Sequence, residues 1–283
     1  MKKILVCLLV CLLVYLLVCL LIVPMAGAAE KEKILVPMSS QSEMELANHT
    51  KTPVGFFLNE FAVPAQYLAE HGYEIVIATP SGNVPVMDKG SASNRFFGGD
   101  EAAFQNALKF FESQKPVSLK AAVDDGLEQY AGIFVPGGHS PMTDLTYDPE
   151  LGKALHYFHE KGKPTAFICH GPAAALSTLP HAAEYRQALI ENNVAAAREA
   201  AKNWPYAGYR MTALSDAEEW PGEVRLGTQM PFHLEQALQI AGATMVVSTP
   251  GRSHVEIDRE LITGQNPASD KALAEAMLNA LRK

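Results

Sequence analysis

Four short stretches constrain the fold most: "KILVPM" (33–38), "YEIVIATP" (73–80), "AGIFVPGG" (131–138) and "KPTAFICHG" (163–171). Each is an apolar run without polar alternation, bounded by Gly, Pro or Ser. A strand with one wetted face alternates polar and apolar residues, so these runs need burial on both faces. Between them lie helical patterns. "EFAVPAQYLAEHG" (60–72) has apolar residues spaced at about 3.6 and a Gly stop, and "DPELGKALHYFHEKG" (148–162) has an Asp-Pro start and a Gly stop. "PFHLEQALQIAG" (231–242) and "SDKALAEAMLNALRK" (269–283) read as further helices, and "RMTAL", "TMVVSTP" and "ELITG" as short strands. Doubly buried strands alternating with helices predict an α/β fold, a doubly wound, mostly parallel sheet with helices on both faces. Residues 89–130, rich in Gly, Ser and Lys with a helical piece of their own, read as a surface excursion over that sheet.

The N-terminus is separate. Lys2 and Lys3 precede an apolar run from Ile4 to Val23, followed by Pro24 and Ala26-Gly27-Ala28. A basic start, an apolar core and a small-x-small site predict a signal peptide over 1–28, leaving 29–283 as one folded domain. About 20 apolar residues also suffice to span a bilayer, so an uncleaved anchor stays open as the second reading. Either way the domain is exported, periplasmic or secreted, and membrane contact is confined to that segment. Val18 is bulkier than the small residue usual before a lipidated cysteine, so a lipoprotein reading of Cys19 is weak.

The chain has a formal net charge of −8, and loss of a leader with two lysines and no acids makes it more acidic. With no basic stripe interleaved with aromatics, nucleic acid is not an expected partner. Three of the four cysteines fall in the first nineteen residues, so Cys169 is the only thiol of 29–283 and cannot form a disulfide within it. An unpaired thiol in an oxidising compartment is a liability, which favours a chemical reason for keeping it.

In open α/β sheets ligands bind beyond the carboxyl ends of the strands. Cys169 follows the run "TAFI" and precedes "GPAAALSTL", which reads as a helix start. That strand-to-helix turn is the setting of a nucleophile elbow, and a helix N-terminus there would lower the thiol pKa below that of free cysteine. Gly137 and Gly138 end the preceding strand and would offer backbone N–H groups as an oxyanion hole. Glu60, at a helix entry, is an acid/base candidate or a carboxylate that serves only the helix dipole. His156 and His159 stand at i, i+3, but two ligands do not make a zinc site, and neither metal nor cofactor is expected. Trp204, Tyr206 and Tyr209 read as core packing.

"GFFLNE" (55–60), "PGGHSPMTDL" (136–145) and "ICHGPAAAL" (168–176) together resemble the ThiJ/PfpI superfamily, over nearly all of 33–283. "GYRMTALSDAEE" (208–219), "MPFHLEQAL" (230–238) and "LITGQNPAS" (261–269) place the resemblance near the branch of heat-shock chaperones and glyoxalase III enzymes. It implies a flavodoxin-like, class I glutamine amidotransferase-like fold. It implies Cys169 as nucleophile, His170 as its neighbour, Glu60 as acid/base and Glu219 as the carboxylate orienting His170, with Asp216 and Glu218 as alternatives. Ser140 departs from the family pattern, which has Gly after the His.

The implied activity is a glutathione-independent glyoxalase, a lyase converting methylglyoxal or a related 2-oxoaldehyde to a 2-hydroxy acid without a cofactor. Its partner is a small carbonyl substrate, and a homodimer is left open. Competing readings are a cysteine amidase or peptidase using the same Cys169 and a holdase chaperone independent of it. A glutaminase variant would use His254 and Glu256, although "HVEIDRELITG" reads better as a β-hairpin with Asp258 in its turn.

Overall fold

The computed structural model describes residues 31–283; the leader expected over 1–28, with Cys7, Cys11 and Cys19, lies outside the described residues. The strands are β1 (Lys33–Pro37), β2 (Glu43–Glu45), β3 (Lys51–Pro53), β4 (Glu74–Thr79), β5 (Val117–Ser118) and β6 (Tyr130–Val135), then β7 (Thr165–Ile168), β8 (Arg210–Met211), β9 (Thr244–Met245), β10 (Val255–Asp258) and β11 (Leu261–Gly264). Seven of them form one sheet in the order β10-β11-β7-β6-β1-β4-β5. Every pairing is parallel except β10 with β11. The helices are α1 (Leu58–Glu70), α2 (Glu101–Glu112), α3 (Leu119–Asp124), α4 (Pro149–Lys161), α5 (Ala182–Ile190), α6 (Val194–Ala200), α7 (Asp216–Leu226), α8 (Leu234–Ala241) and α9 (Asp270–Leu281). This is the doubly wound, flavodoxin-like architecture of class I glutamine amidotransferases.

The unbroken apolar runs are explained by two cores. Ile34, Val36, Phe134 and Ile168 belong to the core that includes Phe61 and Leu68 of α1 and Met277 of α9. Leu35, Ile133, Val135 and Phe167 belong to the other, with Leu151, Leu155 and Phe158 of α4. Alternate residues of each central strand thus enter different cores, so neither face offers a wetted position for a polar side chain.

Local signals fix the helix ends. Asp148 caps α4 by accepting the Leu151 N–H at 2.8 Å, Pro149 opens the first turn, and Gly162 ends it at φ 61°. The hairpin read at the C-terminal edge is present as β10 and β11, with Asp258 closing β10.

Three expectations need correction. "RMTAL" and "TMVVSTP" yield only the two-residue strands β8 and β9, which pair with each other outside the main sheet. The 89–130 excursion is structural, since β5 extends the sheet beside β4 and α2 packs on α1 through Phe61–Phe110 and Phe61–Phe111 ring contacts. Residues Gly171–Thr178 form a 3-10 helix instead of an α-helix. Trp204, Tyr206 and Tyr209 are buried as read, and the Trp204 indole donates to Ala175 O at 3.0 Å. Among the described residues no helix is long and apolar enough to cross a membrane.

Phe158 is fully buried where α4 meets the sheet. Phe158→Ala should cost about 3–5 kcal/mol, read as a lower urea midpoint at unchanged slope. A loss below about 1 kcal/mol would contradict this core assignment.

Candidate active site

The sheet order reverses between β1 and β6, and the carboxyl ends of β1, β6 and β7 converge there, where ligands bind in such folds. β7 delivers Cys169. Its backbone is left-handed at φ 60°, its N–H donates to Gly264 O at 2.8 Å, and its carbonyl accepts the Leu214 N–H at 2.9 Å. A non-glycine residue in that region costs about 1–3 kcal/mol and persists where neighbours over-determine it, as both backbone bonds do here. The same Leu214 contact anchors the loop into α7, which carries Glu219.

β6 delivers the glycines. A Cβ on Gly137 would collide with Glu60 Oε2 and stand 2.6 Å from Cys169 Cβ. Gly138 has φ +85°, and a Cβ there would strike the Gly55 carbonyl and the Phe56 backbone. Only glycine lets this loop pass between thiol and carboxylate. Gly137 O accepts the Phe57 N–H at 3.0 Å, tying the loop to the start of α1. The Gly138 N–H favours the Cys169 thiolate, and both glycine N–H groups favour the Glu60 carboxylate. The Cys169 N–H is committed to Gly264, so the backbone donors at the thiol come from the glycine loop.

α1 delivers Glu60 in its first turn, completely buried, with neither carboxyl oxygen hydrogen-bonded among the described residues. Burial pushes its pKa well above the ordinary carboxylate value; interaction with the Cys169 thiol opposes the rise, and the Asp270 charge adds to it. A carboxylate kept only for the helix dipole would not be dry and unpartnered. Burial also raises the Cys169 thiol well above its ordinary value, with the Glu60 charge as the next cause. This reverses the expected lowering. The thiol lies in a dry pocket beside an acid, at the start of a 3-10 helix, and the dipole does not prevail.

His170 is 1 % exposed, with Nδ1 3.4 Å from Cys169 Sγ and Nε2 2.6 Å from Glu219 Oε2. Burial lowers the His170 pKa, against the pull of Glu219, so the ring is neutral. Glu219 stays ionised despite burial because His170 and His139 hold its pKa far below the ordinary range. An ionised Glu219 only accepts, so Nε2 of His170 carries the hydrogen and Nδ1 presents a lone pair to the thiol. Of the three acids in "SDAEE", Glu219 is the one on His170. Glu218 instead ties loops together, accepting from Ser215, Gln265, Asn266 and the Gly251 N–H, and Asp216 accepts from Gln236.

Sequence reasoning missed His139. Its Nε2 donates to Glu219 Oε1 at 2.8 Å, its ring lies 4.3 Å from that of His170, and Glu219 raises its pKa against the effect of burial. It sits inside the quoted "PGGHSP", but nothing in the spacing shows that one carboxylate serves two histidines. One nitrogen of each histidine and a Glu219 oxygen lie within 4.8 Å of one another, so this trio could hold a metal ion; its members already hydrogen-bond through the carboxylate. His156 and His159 are engaged elsewhere, on Thr178 O and Glu260. Ser140 starts a 3-10 turn and is not among the left-handed residues, so a side chain fits where the family pattern has Gly. His254 and Glu256 lie at the β10 edge, 3.2 Å apart, and do not line the cavity at Cys169. That cavity, about 330 Å³, is walled by Cys169, His170, Glu60, Gly138 and His139, by Phe57 of "GFFLNE", and by Asp88, Arg95 and Arg225, none of which the sequence singles out.

The DJ-1/PfpI family matches residues 54–183. The chain is 25% identical over 259 residues to the protein/nucleic acid deglycase HchA of Pseudomonas aeruginosa, covering 88% of this chain and 81% of the relative. It is 27% identical over 213 residues to the human glutamine amidotransferase-like class 1 domain-containing protein 1, covering 75% and 82%. The crystal structure of glyoxalase III from Candida albicans superposes with a TM-score of 0.62 at 21% identity, covering 88% of this chain and 96% of that one.

A carboxyl whose folded pKa is raised binds its proton more tightly folded than unfolded. Its stabilising contribution is complete below the ordinary value of 4.5 and is lost as pH rises through the folded pKa. Glu60→Gln cannot ionise, so its Tm should gain on the parent as pH rises above 4.5. Thermal unfolding at a series of pH values reads this directly. A Tm difference that stays constant with pH would contradict a raised Glu60.

Proposed function

Because this chain belongs to the ThiJ/PfpI superfamily, we propose that it is a deglycase- or glyoxalase-like enzyme, and specifically a cofactor-independent glyoxalase acting on 2-oxoaldehydes. The observation that carries the reading is Glu60, a completely buried carboxyl lining the same cavity as the thiol. An amidase or peptidase needs a nucleophile, a base and its orienting acid, which Cys169, His170 and Glu219 already supply. A second carboxyl, tuned upward, has work in a reaction that moves a proton between carbons.

With methylglyoxal, Cys169 Sγ attacks the aldehyde carbon while the thiol proton passes to Nδ1 of His170. Glu219 stabilises the imidazolium. Glu60, protonated at rest, gives its proton to the aldehyde oxygen, completing the hemithioacetal. Its carboxylate then removes the hydrogen from that carbon, and the imidazolium protonates the ketone oxygen, giving an enediol. Glu60 returns its proton to the second carbon and its carboxylate takes up the proton of the hydroxyl on the first, leaving a thioester of lactate with Glu60 protonated and His170 neutral again. Water, activated by His170, cleaves the thioester and restores the thiol. One water is consumed. The internal redox balances, since one carbon is oxidised as its neighbour is reduced.

Cys169→Ala should lose both the covalent adduct, seen by intact mass, and lactate formation. Glu60→Gln should still form the adduct yet make lactate at least about 10²-fold more slowly, the usual worth of general acid–base catalysis. Parental turnover by Glu60→Gln would refute the assignment. An amidase would instead hydrolyse glutamine or a peptide, with Glu60→Gln as active as the parent.

A further inference from the structure

The cavity at Cys169 carries a charge pattern that a neutral 2-oxoaldehyde does not require. Arg95 and Arg225 both line it. The guanidinium groups of Arg210 and Arg259, elsewhere on the surface, pair with Glu256 and Asp258, but neither of the cavity arginines forms an ion pair among the described residues. The acids around them are already engaged. Asp88 accepts the Gly90 N–H at 2.6 Å, Glu219 serves two histidines, and burial disfavours the charged form of Glu60. In a chain of net charge −8, two cations with no ion-pair partner among the described residues line the reactive cavity.

Arg95 is also held in place. Its guanidinium lies 4.4 Å over the Phe96 ring, and Phe96 packs edge-on against Phe57 with centroids 4.7 Å apart. Phe57 lines the reactive cavity. Arg95, Leu214 and Pro267 are shared between that cavity and an adjoining cleft of about 700 Å³ that extends past Pro221 and Pro250. The acids of the cleft are committed too: Glu218 accepts several hydrogen bonds, and Asp270 accepts from Asn59 at 2.8 Å. Arg95 therefore stands at the junction, where the far end of a substrate anchored at Cys169 would lie.

We propose that the substrate is a 2-oxoaldehyde carrying an anionic group, a carboxylate or phosphate, at the end away from the aldehyde. Arg95 receives that group through its planar fork and Arg225 adds positive charge at the mouth. This rests on the glyoxalase reading for its chemistry and leaves every step of it unchanged. What it adds is the chemical class that the pocket selects.

Steady-state kinetics should compare 4,5-dioxopentanoate, which ends in a carboxylate, with 2-oxopentanal, which ends in a methyl group. The parent should favour the anion in kcat/KM, mainly through KM, and added salt should erode the preference. Arg95→Met should reduce the anion-to-neutral ratio about tenfold, the low end for a hydrogen bond to a charged group, and Arg95→Lys should restore part of it. An unchanged ratio in Arg95→Met would overturn the proposal. Calorimetry with the two corresponding 2-hydroxy acids, 2-hydroxyglutarate and 2-hydroxypentanoate, separates this from the chemistry. If neither aldehyde is turned over, the glyoxalase reading fails, and the anion site still stands or falls on whether 2-hydroxyglutarate binds more tightly and loses that advantage in Arg95→Met.

Discussion

The site depends on one constrained backbone. Cys169 is forced into the left-handed region by a donor on one side, to Gly264 O, and an acceptor on the other, from Leu214 N. The first bond ties it to the end of β11 and the second to the loop entering α7. Three distant parts of the chain thus share one turn. Glu219 reaches His170 because Leu214 is pinned, and Glu60 reaches the thiol because Gly137 leaves no side chain between them. Strain at the nucleophile is offset by the parallel sheet around it.

Electrostatics give the second layer. A thiol and a carboxyl buried together oppose each other's ionisation, so the pair rests with little charge. Beside them Glu219 is strongly ionised, with two histidines to receive its charge. One acid is pushed up and the other down, which separates the proton carrier from the group that orients a base. The price appears as buried, unsatisfied oxygens on Glu60, tolerable where function requires them.

Much of this was legible in the sequence, for physical reasons. β1, β6 and β7 announced themselves because alternate residues enter two cores, and a strand so placed has no wetted positions. Asp148 and Gly162 marked α4 because capping is local chemistry. Cys169 stood out by its strand-end position, whereas the roles of Glu60 and Glu219 came from family resemblance and not from spacing. His139, Asp88, Arg95 and Arg225 were not legible, because their proximity is created by tertiary packing across more than a hundred residues. The 3-10 geometry after Cys169 was also hidden. "GPAAALST" suits either helix, and packing of Gly171 against the Val135 carbonyl, where a Cβ would clash, is a tertiary fact. The thiol's direction of shift failed with it, since burial depth cannot be read from one cysteine's neighbours in sequence.

The central claim is that the nucleophile rests as a neutral thiol beside a buried acid and is activated only when substrate arrives. Thiolate absorbance measured against pH, with Cys169→Ser as the blank, tests it most directly. The account predicts a midpoint above the ordinary thiol value of 9.0, moving down in Glu60→Gln as the neighbouring charge is removed. A midpoint below that value in the parent would mean a preformed thiolate and contradict the account.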